Sequence, residues 1–218
     1  MQKAQFVKGK WKPQIGGVTA MAIADDNELK AAAANAGSLV QDIQDYCGRA
    51  FKPEAKISFP RGMIGTAAQY RVRCPAYLTR DQISSCAYGF MFLDVLWWVV
   101  SRTDIASVGK QMALKSAIVT LGTILEVSLC VPGLSRDKVL SAKNGAGVNP
   151  RLTKAQEEGW ISQEQCATLT QLWKHRNNVH LKILAESELD LYQPEHVNEP
   201  YAALLVLLGR LKDWNGGW

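Results

Sequence analysis

The sequence predicts a mainly α-helical protein, a bundle of long helices preceded by an N-terminal extension, and two observations carry that expectation. From residue 79 onward, apolar residues recur at helical spacing in long segments divided by short Gly- and Pro-containing loops. Pairs of Thr or Ser with Gln three residues later mark where several of those segments begin. No repeat of solenoid length is visible. With 47% apolar against 21% charged residues the composition is that of an ordinary ordered domain.

Residues 1 to 23 mix Lys, Gly, Pro and aromatics without a sustained period, which predicts an arm or a short strand. Asp25 and Asp26 then open an alanine-rich helix with Leu29, Ala32, Ala33, Leu39, Ile43 and Tyr46 on one face, and Gly48 is its stop. Residues 50 to 78 hold Pro53, Pro60 and Pro75 and the β-like pieces Lys56-Ile-Ser-Phe and Gln69-Tyr-Arg-Val-Arg, predicting a small β-hairpin or a structured loop. The extension is therefore residues 1–78 and the bundle residues 79–218. Thr79 with Gln82 starts a helix running to about Arg102. Its most apolar run, Phe90 to Val100, is short and carries Asp94, so it reads as a buried helix and not a membrane span. A second long helix follows from Asp104 to about Cys130, ended by Pro132 and Gly133. After the turn-rich stretch from Asn144 to Pro150, Thr153 with Gln156 and Ser162 with Gln165 mark two more helix starts, with Gly159 between them. The second of these helices extends from Ser162 to about Leu184, and a last one begins near Asn198 and Pro200.

The net charge of +5 is modest, and residues 1 to 80 carry twelve Lys or Arg against six Asp or Glu, which permits an acidic partner. Lys8, Lys10 and Lys12 around Trp11, then Arg61, Arg71 and Arg73 with Tyr70 and Tyr77, have the interleaving that tracks a nucleic-acid backbone; solvated surface is the plainer alternative. Five cysteines, odd in number and without a C-x-x-C pair, argue against a zinc site or a disulfide framework. Cys86, Cys130 and Cys166 lie in apolar helical patterns, as thiols do in a reducing compartment, so the expected location is the cytoplasm. The first residues lack the apolar stretch of a secretory signal. No phosphate-binding loop, dinucleotide fingerprint, metal-ligand triad or Ser-His-Asp order appears, so no cofactor and no metal is expected.

One constellation has chemical potential. Arg176 and His180, four apart on a helix, share a face and can address one phosphate. Imidazole exchanges protons near neutral pH, and guanidinium stabilises charge developing on a phosphoryl group. RNA supplies its own 2′-hydroxyl nucleophile, so such a site needs no metal, and Asn177 would orient the imidazole or donate to a phosphate oxygen. The alternative is a helix-terminal network in which Arg176 pairs with Glu126, an acid among aliphatics, and His180 bonds a backbone carbonyl. His175 and His196 carry no assigned role, and Trp97, Trp98, Trp160 and Trp173 read as core or interface anchors.

Three segments in order resemble the HEPN superfamily of helical bundles. They are Ala117-Ile-Val-Thr-Leu-Gly-Thr-Ile-Leu-Glu126-Val-Ser-Leu, then Leu152-Thr-Lys-Ala-Gln-Glu-Glu-Gly159-Trp-Ile161-Ser, then Leu169-Thr-Gln-Leu-Trp-Lys-His-Arg176-Asn177-Asn178-Val-His180-Leu. The resemblance implies an HEPN-like bundle, a homodimer or a subunit of a larger complex, and a metal-independent ribonuclease of a defence or toxin system. It assigns catalysis to Arg176, Asn177 and His180. The family places four to six residues between its arginine and histidine, whereas three separate Arg176 from His180 here; Lys174 could supply the missing charge. A helical adaptor without catalysis, binding a protein or nucleic-acid partner, is the other function expected of the same fold.

Overall fold

In the computed structural model, residues 23–60, 62–130, 147–179 and 191–212 are described. They form seven α-helices: α1 (Asp26–Cys47), α2 (Ala67–Arg71), α3 (Arg80–Arg102), α4 (Ser107–Ser128), α5 (Val148–Glu157), α6 (Gln163–Asn177) and α7 (Glu195–Lys212), with a short 3-10 turn at Pro53–Ala55. Among the described residues there is no strand. Local chemistry sets most of the starts. Thr66, Thr79 and Ser162 each accept from the backbone N–H three residues on, while Gln69, Gln82 and Gln165 reach back to the cap residue's own N–H. Asp25 accepts from the N–H groups of Asn27 and Glu28, and Gly48, at φ +54°, ends α1 in a conformation that favours glycine.

The chain divides into two compact units, Met1–Phe59 and Pro60–Trp218. In the first, α1 has no buried residue, and Leu39 (64% exposed), Val40, Ile43 and Tyr46 (79% exposed) stand in the open. Lys52 lies 4.1 Å from the centre of the Tyr46 ring.

The second unit is the helical bundle, with α4 at its centre. Helices α3, α6 and α7 all pack on α4, α5 packs on α6, and α2 packs on α3. Leu114, Ile118, Leu121 and Leu125 of α4 are fully buried against a core that includes Phe90, Leu169, Leu172, Leu204 and Leu207. Two polar residues are buried among the described residues, Gln111 and Ser128, and Gln111 is satisfied at both ends of its amide. The Gln111 amide donates to the Tyr192 carbonyl (2.9 Å) and accepts from the Tyr192 N–H (2.8 Å), which pins the approach to α7 onto α4.

Several sequence expectations change. The division falls at Phe59/Pro60 instead of residue 78/79, because Tyr70, Cys74 and Leu78 are buried in the bundle core. The hairpin is replaced: Gln69-Tyr-Arg belongs to α2, started by the Thr66–Gln69 capping box, and Lys56-Ile-Ser-Phe is irregular. Thr153 is not a cap, since α5 begins five residues earlier with Pro150 in its first turn, and the Thr153 hydroxyl donates to the Asn149 carbonyl at 3.2 Å. α7 begins at Glu195, with Pro200 inside it. Cys130 is exposed, whereas Cys86 and Cys166 are buried as free thiols. α3 is, among the described residues, one helix long and apolar enough to cross a membrane; here Cys86, Ala87, Phe90 and Leu93 commit one side of it to the core.

A central α4 makes a quantitative prediction. Leu121→Ala, at a fully buried position, is expected to destabilise the chain by about 2–5 kcal/mol in urea unfolding. Thr79→Ala, which removes one cap at the exposed start of α3, should cost only about 1 kcal/mol. Equal losses would contradict the placement of α4 at the centre.

Candidate functional site

The predicted constellation lies where the last turn of α6 crosses α4. The crossing is close because Gly122 faces it: a Cβ at this position would lie 2.7 Å from Arg176 Cγ and 3.0 Å from Arg176 Cβ. Glycine in mid-helix carries a propensity cost, offset here by room for the arginine stem. The guanidinium is then engaged on three sides. Nη2 lies 3.5 Å from Glu126 Oε2, Nη1 donates to Asn177 Oδ1 at 3.1 Å, and the group sits 4.7 Å from the centre of the Trp173 ring. The Arg176 side chain is 31% exposed and that of Glu126 46%, so the ion pair is partly hydrated and of surface strength.

Of the other predicted residues, only some are described. α6 ends at Asn177, capped by Asn178, whose N–H donates to the Lys174 and His175 carbonyls. His180, the expected partner of Arg176 on one helical face, lies outside the described residues. Lys174 is exposed on α6. Of the residues expected to contact nucleic acid, Lys8, Lys10, Lys12 and Arg61 lie outside the described residues. Arg71 is exposed at the end of α2, and Arg73 lies over the Tyr70 ring at 4.8 Å and donates to the Tyr201 hydroxyl at 3.3 Å. Trp173 packs against the core, while Trp97 is exposed.

Two residues without a predicted role do come together. His175 of α6 and His196 of α7 stack with ring centres 4.7 Å apart and planes 28° from parallel, and His175 meets the edge of Tyr192. The side-chain amide of Gln171 lies 3.0 Å from His175 Nε2, and His196 Nδ1 accepts from the Gln193 N–H at 3.2 Å. Burial lowers the His175 pKa, and the neighbouring His196 and Lys174 lower it further. The neutral ring can accept from the Gln171 amide at Nε2, whereas a protonated ring, a donor at both nitrogens, could not. Glu195 and Glu199 line the same shallow groove. The four-residue spacing of Gln171 and His175 is the one local feature from which this cluster could be read, and nothing local marks His196. Among the described residues no group of three or more His, Cys, Asp or Glu can hold a metal ion. Comparison with family models, with curated proteins and with solved structures finds no match to this chain.

Two predictions follow from this geometry. Gly122→Ala gains about 1 kcal/mol of helix propensity but crowds the Arg176 stem, at an overpacking cost of about 1–3 kcal/mol. It should therefore lower the urea midpoint, whereas Gly209→Ala in α7, with nothing within 4 Å of the added methyl, should raise it. The second concerns pH. The folded His175 pKa lies below its unfolded value near 6.5, so the folded state binds fewer protons. The stabilising contribution is full above about pH 6.5 and is lost as pH falls through the folded value. Urea midpoints should drop between pH 7.5 and 5.5, less steeply for His175→Gln; identical slopes would show that this ring does not titrate differently in the fold.

Proposed function

We propose that this chain is a non-catalytic helical adaptor that uses α1 to hold a protein partner. The observation that supports this most is the apolar stripe of α1. Leu29, Val40 and Ile43 recur on one face of a 22-residue helix with no buried residue, and Leu39 and Tyr46 flank them. A helix gains most of its stability from burying such a face, and insertion into a groove of a partner is the standard way to do so. α1 has four acids, Asp26, Glu28, Asp42 and Asp45, against Lys30, a net charge of −3. That charge disfavours a phosphate backbone and suits an apolar groove with a basic rim.

The occupied guanidinium supports the same reading from the other side. Glu126 stands 3.5 Å from Arg176 where a phosphate would have to enter, so a phosphate would have to displace the carboxylate and bear its repulsion. The ribonuclease reading, with its HEPN-like dimer, keeps one supporting observation: Arg176 and Asn177 are held side by side with the arginine partly exposed. Both readings meet in one set of experiments. The purified chain should leave single-stranded RNA intact in the presence of a metal chelator. A photo-crosslinker at Ile43 should capture one defined protein, and the capture should be lost in Leu39→Asp/Val40→Asp with the bundle's melting temperature unchanged. Metal-free RNA cleavage that disappears in His180→Ala would establish the nuclease and end the adaptor proposal.

A further inference from the structure

A half-open cavity of about 160 Å³ lies between α3, α4 and α7, lined by residues other than those around Arg176. Its wall is mostly apolar, with Leu114 and Val197 among the aliphatic residues and Trp97 and Tyr201 as aromatic ones, and its polar side chains are Asp94 and Asn198. Asp94 is the unusual member. A carboxylate half-buried in the most apolar stretch of α3 is costly unless something holds and balances it.

The structure shows what holds it. Asp94 Oδ2 accepts from the Gly65 N–H at 3.0 Å and from the Tyr70 hydroxyl, which fixes the carboxylate from one side. Burial and the Asp94 carboxylate both raise the Tyr70 pKa, so the phenol remains a donor. Gly65 is itself required for this approach, since a Cβ there would lie 2.6 Å from the Tyr70 ring. Both bonds use the same oxygen. Oδ1 has no hydrogen bond, and Asp94 has no ion pair, among the described residues. The neighbouring cation, Arg73, is directed to the Tyr70 ring and the Tyr201 hydroxyl instead.

We infer that this cavity binds a small primary amine with a compact apolar body, its ammonium on Asp94 Oδ1 and its hydrocarbon between Leu114, Val197 and the aromatic rings. A deprotonated carboxylate only accepts hydrogen bonds, so the matching ligand group is a donor, and a cationic donor also neutralises the charge. A volume of about 160 Å³ suits an apolar body of about one ring, since roughly 150 Å³ is enough to take up benzene. Anionic ligands are excluded by repulsion from Asp94. This activity is independent of the adaptor proposal, which rests on α1.

Calorimetric titration of the full chain at neutral pH with benzylamine, benzyl alcohol and benzoate tests the inference. Benzylamine should bind about ten-fold tighter than benzyl alcohol, the increment of one charge-assisted hydrogen bond, and benzoate should give no heat. The indole N–H resonance of Trp97 should shift on adding the amine. Asp94→Asn keeps an acceptor for Gly65 and Tyr70 but removes the charge, so amine and alcohol should then bind alike. Ala113→Leu fills the cavity without touching Asp94 and should abolish binding, which keeps the test sound if Asp94→Asn fails to fold. Equal affinity for amine and alcohol in the parent chain, absence of amine binding, or amine binding that survives Ala113→Leu would overturn it.

Discussion

The bundle depends on the burial of α4 on several sides at once. α3, α6 and α7 share this one helix as their packing surface, so its sequence is apolar around most of its circumference and not on a single stripe. Its hydroxyl residues fit that setting because they need no outside partner. Ser116, Thr120 and Ser128 each donate to the backbone carbonyl four residues earlier, at 2.7–2.8 Å. The Tyr77 hydroxyl also donates to the Ser128 carbonyl, tying the segment before α3 to the end of α4.

The same constraint determines what Arg176 can do. α6 must lie close to α4, and Gly122 allows the arginine stem to cross there. The guanidinium then emerges beside Glu126, at the last turn of α4. A planar group stacked on Trp173 with its edges on Glu126 and Asn177 is a brace between two helices. Packing thus accounts for the described part of the polar cluster that attracts attention in the sequence, Arg176 with Glu126 and Asn177.

Much of the fold was legible because helix signals are local. The Thr79 and Ser162 capping boxes, the Asp25 start and the Gly48 stop each depend on residues within one turn of one another. α2 was misread because Tyr70, Arg71 and Val72 have strand-like alternation, whereas the Thr66–Gln69 box outweighs it once Tyr70 is drawn to Asp94. The end of α6 was set too late because no glycine or proline stands within the turns just after Asn177. The ion pair of Glu126 with Arg176 could be anticipated from the cost of an isolated carboxylate among aliphatics, since that cost is independent of topology. The His175–His196 stack and the Asp94 cavity could not, because their partners lie on different helices and only the packing of α6 on α7, or of α3 and α7 on α4, brings them together.

The central claim is that Arg176 is a brace between α6 and α4, and a double-mutant cycle in urea tests it most directly. The cycle comprises Glu126→Gln, Arg176→Gln and the two combined, each measured for unfolding free energy at moderate salt. For a partly exposed pair the account predicts a favourable coupling of about 0.2–1 kcal/mol. Arg176→Gln alone should cost more than that coupling, because it also removes the stacking on Trp173, worth about 0.5–1 kcal/mol. Zero coupling together with an Arg176→Gln variant as stable as the parent chain would contradict the account and return the arginine to the role of a ligand-binding group.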